Sequence, residues 1–204
     1  MGRRWTLRPS SQVSADAREQ LVAELREHAL VIGTVTLTSG AQAEYYVDAK
    51  RAILRPAGFA ALSTLVASYV AEWGGTAVGG LTMGADPVAC AALAGGARAK
   101  AFFIRKEATH HGLQRRIEGP LLSDDDRCVV VEDVVTTGGS TLTAIEALQQ
   151  AGREIVGVVS VLDRLAGGGA AIERAAGAPY VALSTIDDVY PERPDRVPSA
   201  QASG

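Results

Sequence analysis

A stretch of thirteen residues at positions 129–141 constrains the fold of this chain more than any other feature. It begins with three valines and continues with the adjacent acids Glu132 and Asp133. A turn rich in Thr, Gly and Ser then leads into a segment of helical periodicity that ends before Gly152. An all-apolar strand followed by a helix is typical of a parallel sheet that helices cover on both faces.

The rest of the chain repeats this alternation of strands and helices. Strands are predicted over residues 34–38, 45–48, 76–81, 101–104, 128–131, 155–162 and 180–183. The first helix is predicted after the N-cap Ser14, with its apolar positions Leu21, Val22, Leu25 and Ala29 buried. A second helix is predicted from Pro56 to Trp73, a residue expected in the core. Two more helices are predicted, one through residues 89–93 and one over residues 139–151. We therefore expect an α/β fold, a Rossmann-like parallel sheet flanked by helices, with a small hood built from the N-terminal part.

The chain is predicted to hold one domain between two less ordered ends. Residues 1–12 are expected to form a flexible arm, and residues 13–190 the domain, of which about 13–54 make the hood. Residues 191–204 are rich in Pro, Ser and Ala, which favours a disordered tail. A chain of 204 residues is long enough to bury a core without covalent cross-links.

Composition limits the partners and the compartment. The net charge of −3 and the pI near 5.6 provide no overall basic field for nucleic acid, so anionic ligands need local basic loops and backbone amides. Only two cysteines occur, Cys90 and Cys128, both in apolar stretches, and we expect both to be buried in a protein of a reducing compartment. Signal and membrane-spanning patterns are missing from the sequence, so a cytoplasmic protein without membrane partners is expected.

The turn that follows the two acids has the residues of a phosphate site. Its hydroxyl and glycine residues are Thr136, Thr137, Gly138, Gly139, Ser140 and Thr141. Glycines let successive N–H groups converge on one point, and the following helix adds its partial positive charge. Paired carboxylates suit vicinal hydroxyls, so the pattern predicts a ribose 5-phosphate site. The alternative is a capped helix with a Ser/Thr-rich turn; a Walker loop is excluded because no Lys follows the glycines.

This stretch resembles the phosphoribosyl pyrophosphate (PRPP) signature of the type I phosphoribosyltransferases. The resemblance implies that Glu132 and Asp133 hold the ribose hydroxyls and that the turn wraps the 5′-phosphate. The implied PRPP-binding residues of the stretch are Glu132, Asp133, Val134, Val135, Thr136, Thr137, Gly138, Gly139 and Ser140. The signature is specific for the superfamily but does not identify the base.

A basic loop over residues 103–119 carries four cations and two histidines, with glycines towards its ends. Such a loop could move as a lid and stabilise a departing pyrophosphate, or it could be an ordinary solvated loop. Its residue order resembles the catalytic loop of orotate phosphoribosyltransferases. That resemblance implies that Arg105, Lys106 and His111 contact pyrophosphate and, together with Asp133, are catalytic. Thr109 stands at a further PRPP-binding position where the family has a second Lys.

Weaker signals lie at other predicted strand ends. The small-residue loop 79–87 could offer amides to pyrophosphate or be an ordinary turn. Residues 36–48 resemble the family's hood over the base, with Thr38 at a modest contact and Tyr46 either against the base or in the core. Arg164 follows a predicted strand, and its planar guanidinium matches a carboxylate, although a salt bridge with Asp163 is the alternative. The resemblance implies that Arg164 and Thr136 bind orotate.

Together these resemblances imply transfer of a phosphoribosyl group from PRPP to orotate, with Mg²⁺ held mainly by substrate oxygens. They also imply a homodimer with a shared active site. Two alternatives remain: a sister transferase that uses another base, and a non-catalytic protein that binds PRPP and regulates a partner. Thr109 supports the second alternative, because it removes one expected cation from the loop.

Overall fold

The protein is described here by a computed structural model over residues 11–36, 42–106 and 116–196. A six-stranded sheet with the order β5-β4-β3-β6-β7-β8 lies at its centre. Its strands are β3 Ala77–Leu81, β4 Lys100–Ile104, β5 Ile117–Glu118, β6 Arg127–Val135, β7 Glu154–Asp163 and β8 Tyr180–Thr185. Every neighbouring pair is parallel except β4 and the two-residue β5. The predicted α/β class with a parallel sheet is confirmed.

Helices cover both faces of this sheet. They are α3 Pro56–Glu72, α4 Ala85–Ala94, α5 Gly139–Gln150, α6 Gly168–Ala176 and α7 Ile186–Val189. Helices α3 and α4 share one buried apolar cluster with β3 and β7, and α5 and α6 share another with β4 and β6. Trp73 packs so closely against Gly157 that a Cβ there would lie 2.1 Å from the indole ring. The predicted stripe ending at Trp73 therefore belongs to the core.

The N-terminal part forms a separate small layer. Its elements are α1 Ser11–Glu24, a π-helical turn Leu25–Ala29, β1 Leu30–Thr36, β2 Gln42–Val47 and α2 Lys50–Ile53. Strands β1 and β2 pair antiparallel and form a sheet of their own. The four apolar positions predicted to be buried in the first helix are buried. Ser14 lies inside α1 rather than at its N-cap, because the helix begins three residues earlier, so that prediction was wrong.

Strand β6 extends beyond its predicted end. The apolar run stops at residue 131, but the strand continues to Val135 alongside β7. Glu132 pairs with Ser160 and Val134 with Leu162, so the acid pair lies within the strand and not after it. Two helices were not predicted: α6, which is mostly Gly and Ala, and the short α7, which is capped by Thr185.

Further expectations concern the cysteines and the C-terminal segment. Cys128 is buried, and burial raises the pKa of its thiol to about 11, whereas Cys90 is exposed, so the prediction of burial was wrong for Cys90. Residues 191–196, within the segment predicted to be disordered, contact the domain: Arg193 bonds to Asp187, and Asp195 accepts a bond from Tyr45. Over the described ranges, no helix is long and apolar enough to cross a membrane.

Candidate active site

A cleft of about 220 Å³ opens where β6 ends and α5 begins. Its lining residues are Glu132, Val134, Thr136, Thr137, Gly138, Gly139, Ser140 and Thr141. All of them come from the thirteen-residue stretch, because one strand–turn–helix unit surrounds the space. The hydroxyl groups and the carboxyl give the cleft a polar lining that suits a phosphorylated sugar.

The turn between strand and helix is shaped by glycine and supported by α6. Gly138 has φ +85°, a left-handed conformation that other residues rarely adopt, and α5 begins at the next residue. Gly168, at the start of α6, packs so tightly beneath the turn that a Cβ would lie 2.5 Å from the carbonyl oxygen of Thr136. The turn is therefore built as a fixed cradle with its hydroxyl side chains towards the cleft.

The two adjacent carboxyl groups are both buried, with Glu132 4% and Asp133 8% exposed. Glu132 accepts hydrogen bonds from the Thr141 hydroxyl at 3.3 Å and from the backbone N–H of Asp133 at 3.1 Å. Burial, together with the charge of Asp133, raises the pKa of Glu132 to about 8. At neutral pH Glu132 therefore favours its protonated, neutral form.

A lysine that the sequence analysis missed contacts this pair. The Nζ atom of Lys50 lies 2.9 Å from Oδ2 of Asp133 and 3.0 Å from Oδ1 of Asp48. Burial disfavours the charged ammonium, but the bonds to the two carboxylates outweigh it and raise the pKa of Lys50. Lys50 and Asp133 are 83 residues apart in the sequence, so no local pattern predicts their contact.

The small-residue loop after β3 lies beside the acid pair. A Cβ at Gly84 would lie 2.4 Å from Oδ1 of Asp133, so only glycine permits this approach. The hydroxyl of Thr82 donates to Asp86 at 2.6 Å, and the peptide bond between Thr82 and Met83 is cis. The folded chain therefore brings two of the predicted site segments, 79–87 and 129–141, into contact.

Arg164 lies at the same edge of the sheet, since its N–H donates to the Val135 carbonyl at 2.8 Å. Its guanidinium stacks over the ring of Tyr45, 4.9 Å from the centroid. Asp163 instead accepts from the N–H of Leu165 and the Tyr180 hydroxyl. Among the described residues Arg164 has no ion pair, so the alternative of an Asp163–Arg164 salt bridge was wrong.

The aromatic residue next to Arg164 is Tyr45 and not Tyr46. Tyr45 is 3% exposed, and its ring also contacts Tyr190 edge to face. Tyr46 is 39% exposed, so its predicted alternative role in the core was wrong, whereas its contact with a base stays a prediction.

The basic loop is described only at its two ends. Arg105 and Lys106 follow β4 and are exposed, and the guanidinium of Arg105 lies 3.4 Å from Glu118. The backbone N–H of Arg105 donates to the Arg116 carbonyl at 2.8 Å, which joins the two ends. The predictions for Thr109, His111 and Thr38 lie outside the described residues.

Comparison with known proteins agrees with this geometry. A family profile described as the phosphoribosyl transferase domain matches residues 52–175. An orotate phosphoribosyltransferase of Corynebacterium glutamicum is 47% identical over 181 residues, 88% of this chain and 97% of that protein. Among solved structures, Mycobacterium tuberculosis orotate phosphoribosyltransferase in complex with Fe(III) dicitrate has a TM-score of 0.77 and 44% identity, covering 85% and 99% of the two chains. The same enzyme in complex with PRPP has a TM-score of 0.72 and 40% identity, covering 85% and 98%.

Proposed function

Since the chain belongs to the orotate phosphoribosyltransferases, within the wider phosphoribosyltransferase family, we propose that its cleft carries out their reaction in the following way. The enzyme transfers the 5-phosphoribosyl group of PRPP to orotate, giving orotidine 5′-monophosphate and pyrophosphate, a step of pyrimidine biosynthesis. The observation that carries the assignment of the base is Arg164, which bonds through its backbone to the end of β6 beside the cleft. Its guanidinium stacks on Tyr45 and forms no ion pair with another described residue.

The cradle would bind the 5′-phosphate through the hydroxyl groups of Thr136, Thr137 and Ser140 and through the backbone around Gly138. Glu132 lines the same cleft and Asp133 follows it in β6, and the two acids would bond to the ribose hydroxyls. The protonated Glu132 can donate and the carboxyl oxygens of Asp133 can accept, so together they match two hydroxyl groups. Arg164 would pair with the carboxylate of orotate, and Thr136 would contact the same base.

The reaction needs no nucleophilic side chain. The C1′–O bond to pyrophosphate breaks, and its electron pair stays with the leaving group. N1 of orotate, which gives up its proton to solvent, attacks C1′ from the opposite face. Arg105, Lys106 and His111 would stabilise the growing negative charge of pyrophosphate, with Thr109 near the same position. The rest of the acceleration comes from holding the two substrates in line.

We also propose Mg²⁺ as the cofactor, which would neutralise phosphate charge, since a hard cation prefers oxygen ligands and retains waters. The oxygens that line the cleft suit such an ion. Within residues 11–36, 42–106 and 116–196, no group of three His, Cys, Asp or Glu side chains could hold a metal alone. The oxygens of the substrates would therefore be its main ligands. We also propose a homodimer with a shared active site, on the basis of the sequence resemblance. A cytoplasmic location is proposed from the composition.

The direct test of the base is the preference for orotate over uracil, which lacks the carboxylate. A charge-binding group left without its partner typically costs several kcal/mol, so the parent should prefer orotate by about 10³-fold or more in kcat/KM. Arg164→Ala should remove most of this preference and leave the melting temperature close to that of Arg174→Ala, a control on the exposed face of α6. Equal rates with the two bases in the parent would refute the assignment, and tight PRPP binding without turnover would favour the regulator.

A further inference from the structure

Lys50 is the cation that touches the acid pair, and the proposed reaction leaves it without a role. It belongs to the small N-terminal layer, whereas Asp133 belongs to β6 of the central sheet. The contact therefore connects the two parts of the protein at the cleft.

The lysine is held on a fixed support. It is the first residue of α2, whose Ala52 and Ile53 are fully buried. Gly58 at the start of α3 packs against the same helix so closely that a Cβ would lie 2.3 Å from the Ala52 carbonyl oxygen. The backbone N–H of Lys50 also bonds to Asp48 at 3.2 Å. Such anchoring distinguishes this ion pair from an ordinary surface pair, which contributes little because both side chains are mobile.

The two carboxyl groups of the pair have different hydrogen-bond partners. It bonds to Asp133, while Glu132 is bonded by the neutral hydroxyl of Thr141. The titratable groups that face the pair are Lys50, Asp48 and, beyond Glu132, Tyr180. Of these only Lys50 is cationic, and its ammonium bonds to Asp133 at 2.9 Å rather than to Glu132.

We propose that Lys50 is a positioning residue that holds the Asp133 carboxyl group in the orientation in which it binds the ribose hydroxyls. The inference rests on the proposed function, because it assigns Asp133 to the ribose hydroxyls. It predicts that Lys50 acts on PRPP through Asp133 and does not touch the departing group.

The test compares Lys50→Gln and Lys50→Arg with a matched control, Lys100→Gln. Lys100 is similarly exposed and lies 2.7 Å from the buried Asp126, but Asp126 immediately precedes β6 at the opposite end of the strand from the cleft. A hydrogen bond to a charged group typically contributes a factor of about ten or more to an equilibrium. Lys50→Gln loses the charge that orients Asp133 and should therefore raise KM for PRPP by about 10-fold, with kcat within about threefold of the parent. Lys50→Arg should stay close to the parent, and Lys100→Gln should leave KM unchanged.

The conservative variant provides a second readout. Arginine keeps a positive charge beside Asp133, so Lys50→Arg should keep most of the PRPP affinity that Lys50→Gln loses. The proposal is overturned if Lys50→Gln matches Lys100→Gln in KM for PRPP, if it binds PRPP more tightly than the parent, or if it lowers kcat alone.

Equilibrium binding of PRPP without orotate separates this inference from the proposed function. The Kd for PRPP should rise about 10-fold in Lys50→Gln, stay close to the parent in Lys50→Arg and be unchanged in Lys100→Gln. If orotate is not consumed but these affinities behave as stated, only the proposed reaction fails. If Lys50→Gln does not fold, Lys50→Met, which also removes the charge, takes its place, and an unchanged Kd in that variant overturns the role of Lys50.

Discussion

Replacing Glu132 by Gln should stabilise the protein at alkaline pH and have little effect at acidic pH. Glutamine keeps the size of the side chain, and its amide oxygen can accept the bond from the Asp133 N–H that Glu132 accepts at 3.1 Å. It removes the ionisation that burial and the neighbouring negative charge make unfavourable. The variant therefore measures how much the ionisation of Glu132 lowers the free energy of unfolding.

The direction follows from proton binding. Glu132 has a pKa of about 8 in the folded protein against 4.5 as the ordinary value, so the folded form binds its proton more tightly. Between these two values the free energy of unfolding falls as the pH rises, at about 1.4 kcal/mol per pH unit for a single group. From pH 5.5 to pH 8.5 the parent should lose about 2–3 kcal/mol that the Gln variant keeps. For a domain of this size that corresponds to roughly 5–10 °C in Tm.

Thermal unfolding of both proteins at the two pH values checks this result, with Glu146→Gln on the exposed face of α5 as the control. Groups outside the acid pair titrate alike in parent and variant, so the difference in Tm reports on the pair. A difference that is the same at pH 5.5 and pH 8.5 would show that Glu132 ionises normally. The assignment of a proton to Glu132 at neutral pH would then be wrong.

Three further predictions concern the rest of the site. Thr109→Lys should raise kcat about 10-fold with little change in KM, since one charge-assisted donor to the leaving group acts mainly in the transition state; no change in a parent that is already fast would contradict it. Mixed Lys106→Ala and Asp133→Asn subunits should regain activity if the basic loop reaches a partner's site, and no rescue after confirmed subunit exchange would place the loop in its own site. Tyr45→Leu should reduce the orotate-over-uracil preference about 3–10-fold, because the ring orients Arg164, and an unchanged preference would mean that the stacking has no role.

The cradle could be predicted because its residues are contiguous. Strand, acids, glycine turn and helix follow one another over residues 129–141, so local rules for strands, turns and helix N-termini were sufficient. The end of β6 was misplaced because the prediction stopped at the first charged residue. In the folded protein β7 continues alongside to Asp163 and supplies backbone partners past the acids.

The parts that the sequence could not predict depend on long-range contacts. Lys50 meets Asp133 only because α2 packs beside the sheet, and a run of residues such as Asp-Ala-Lys indicates nothing about that neighbour. The choice of Tyr45 over Tyr46 next to Arg164 depends on which face of β2 turns inward, and two adjacent tyrosines leave that open. Cys90 is exposed although its surroundings are apolar, because α4 does not bury its whole circumference.

The loss of orotate absorbance shows whether this chain consumes orotate. We expect a steady fall that requires the protein, PRPP and Mg²⁺ together, with pyrophosphate released in equal amount. The fall should be restored by adding back whichever of the three was left out. A folded protein that binds PRPP but causes no loss of absorbance with all three present would refute the proposed reaction.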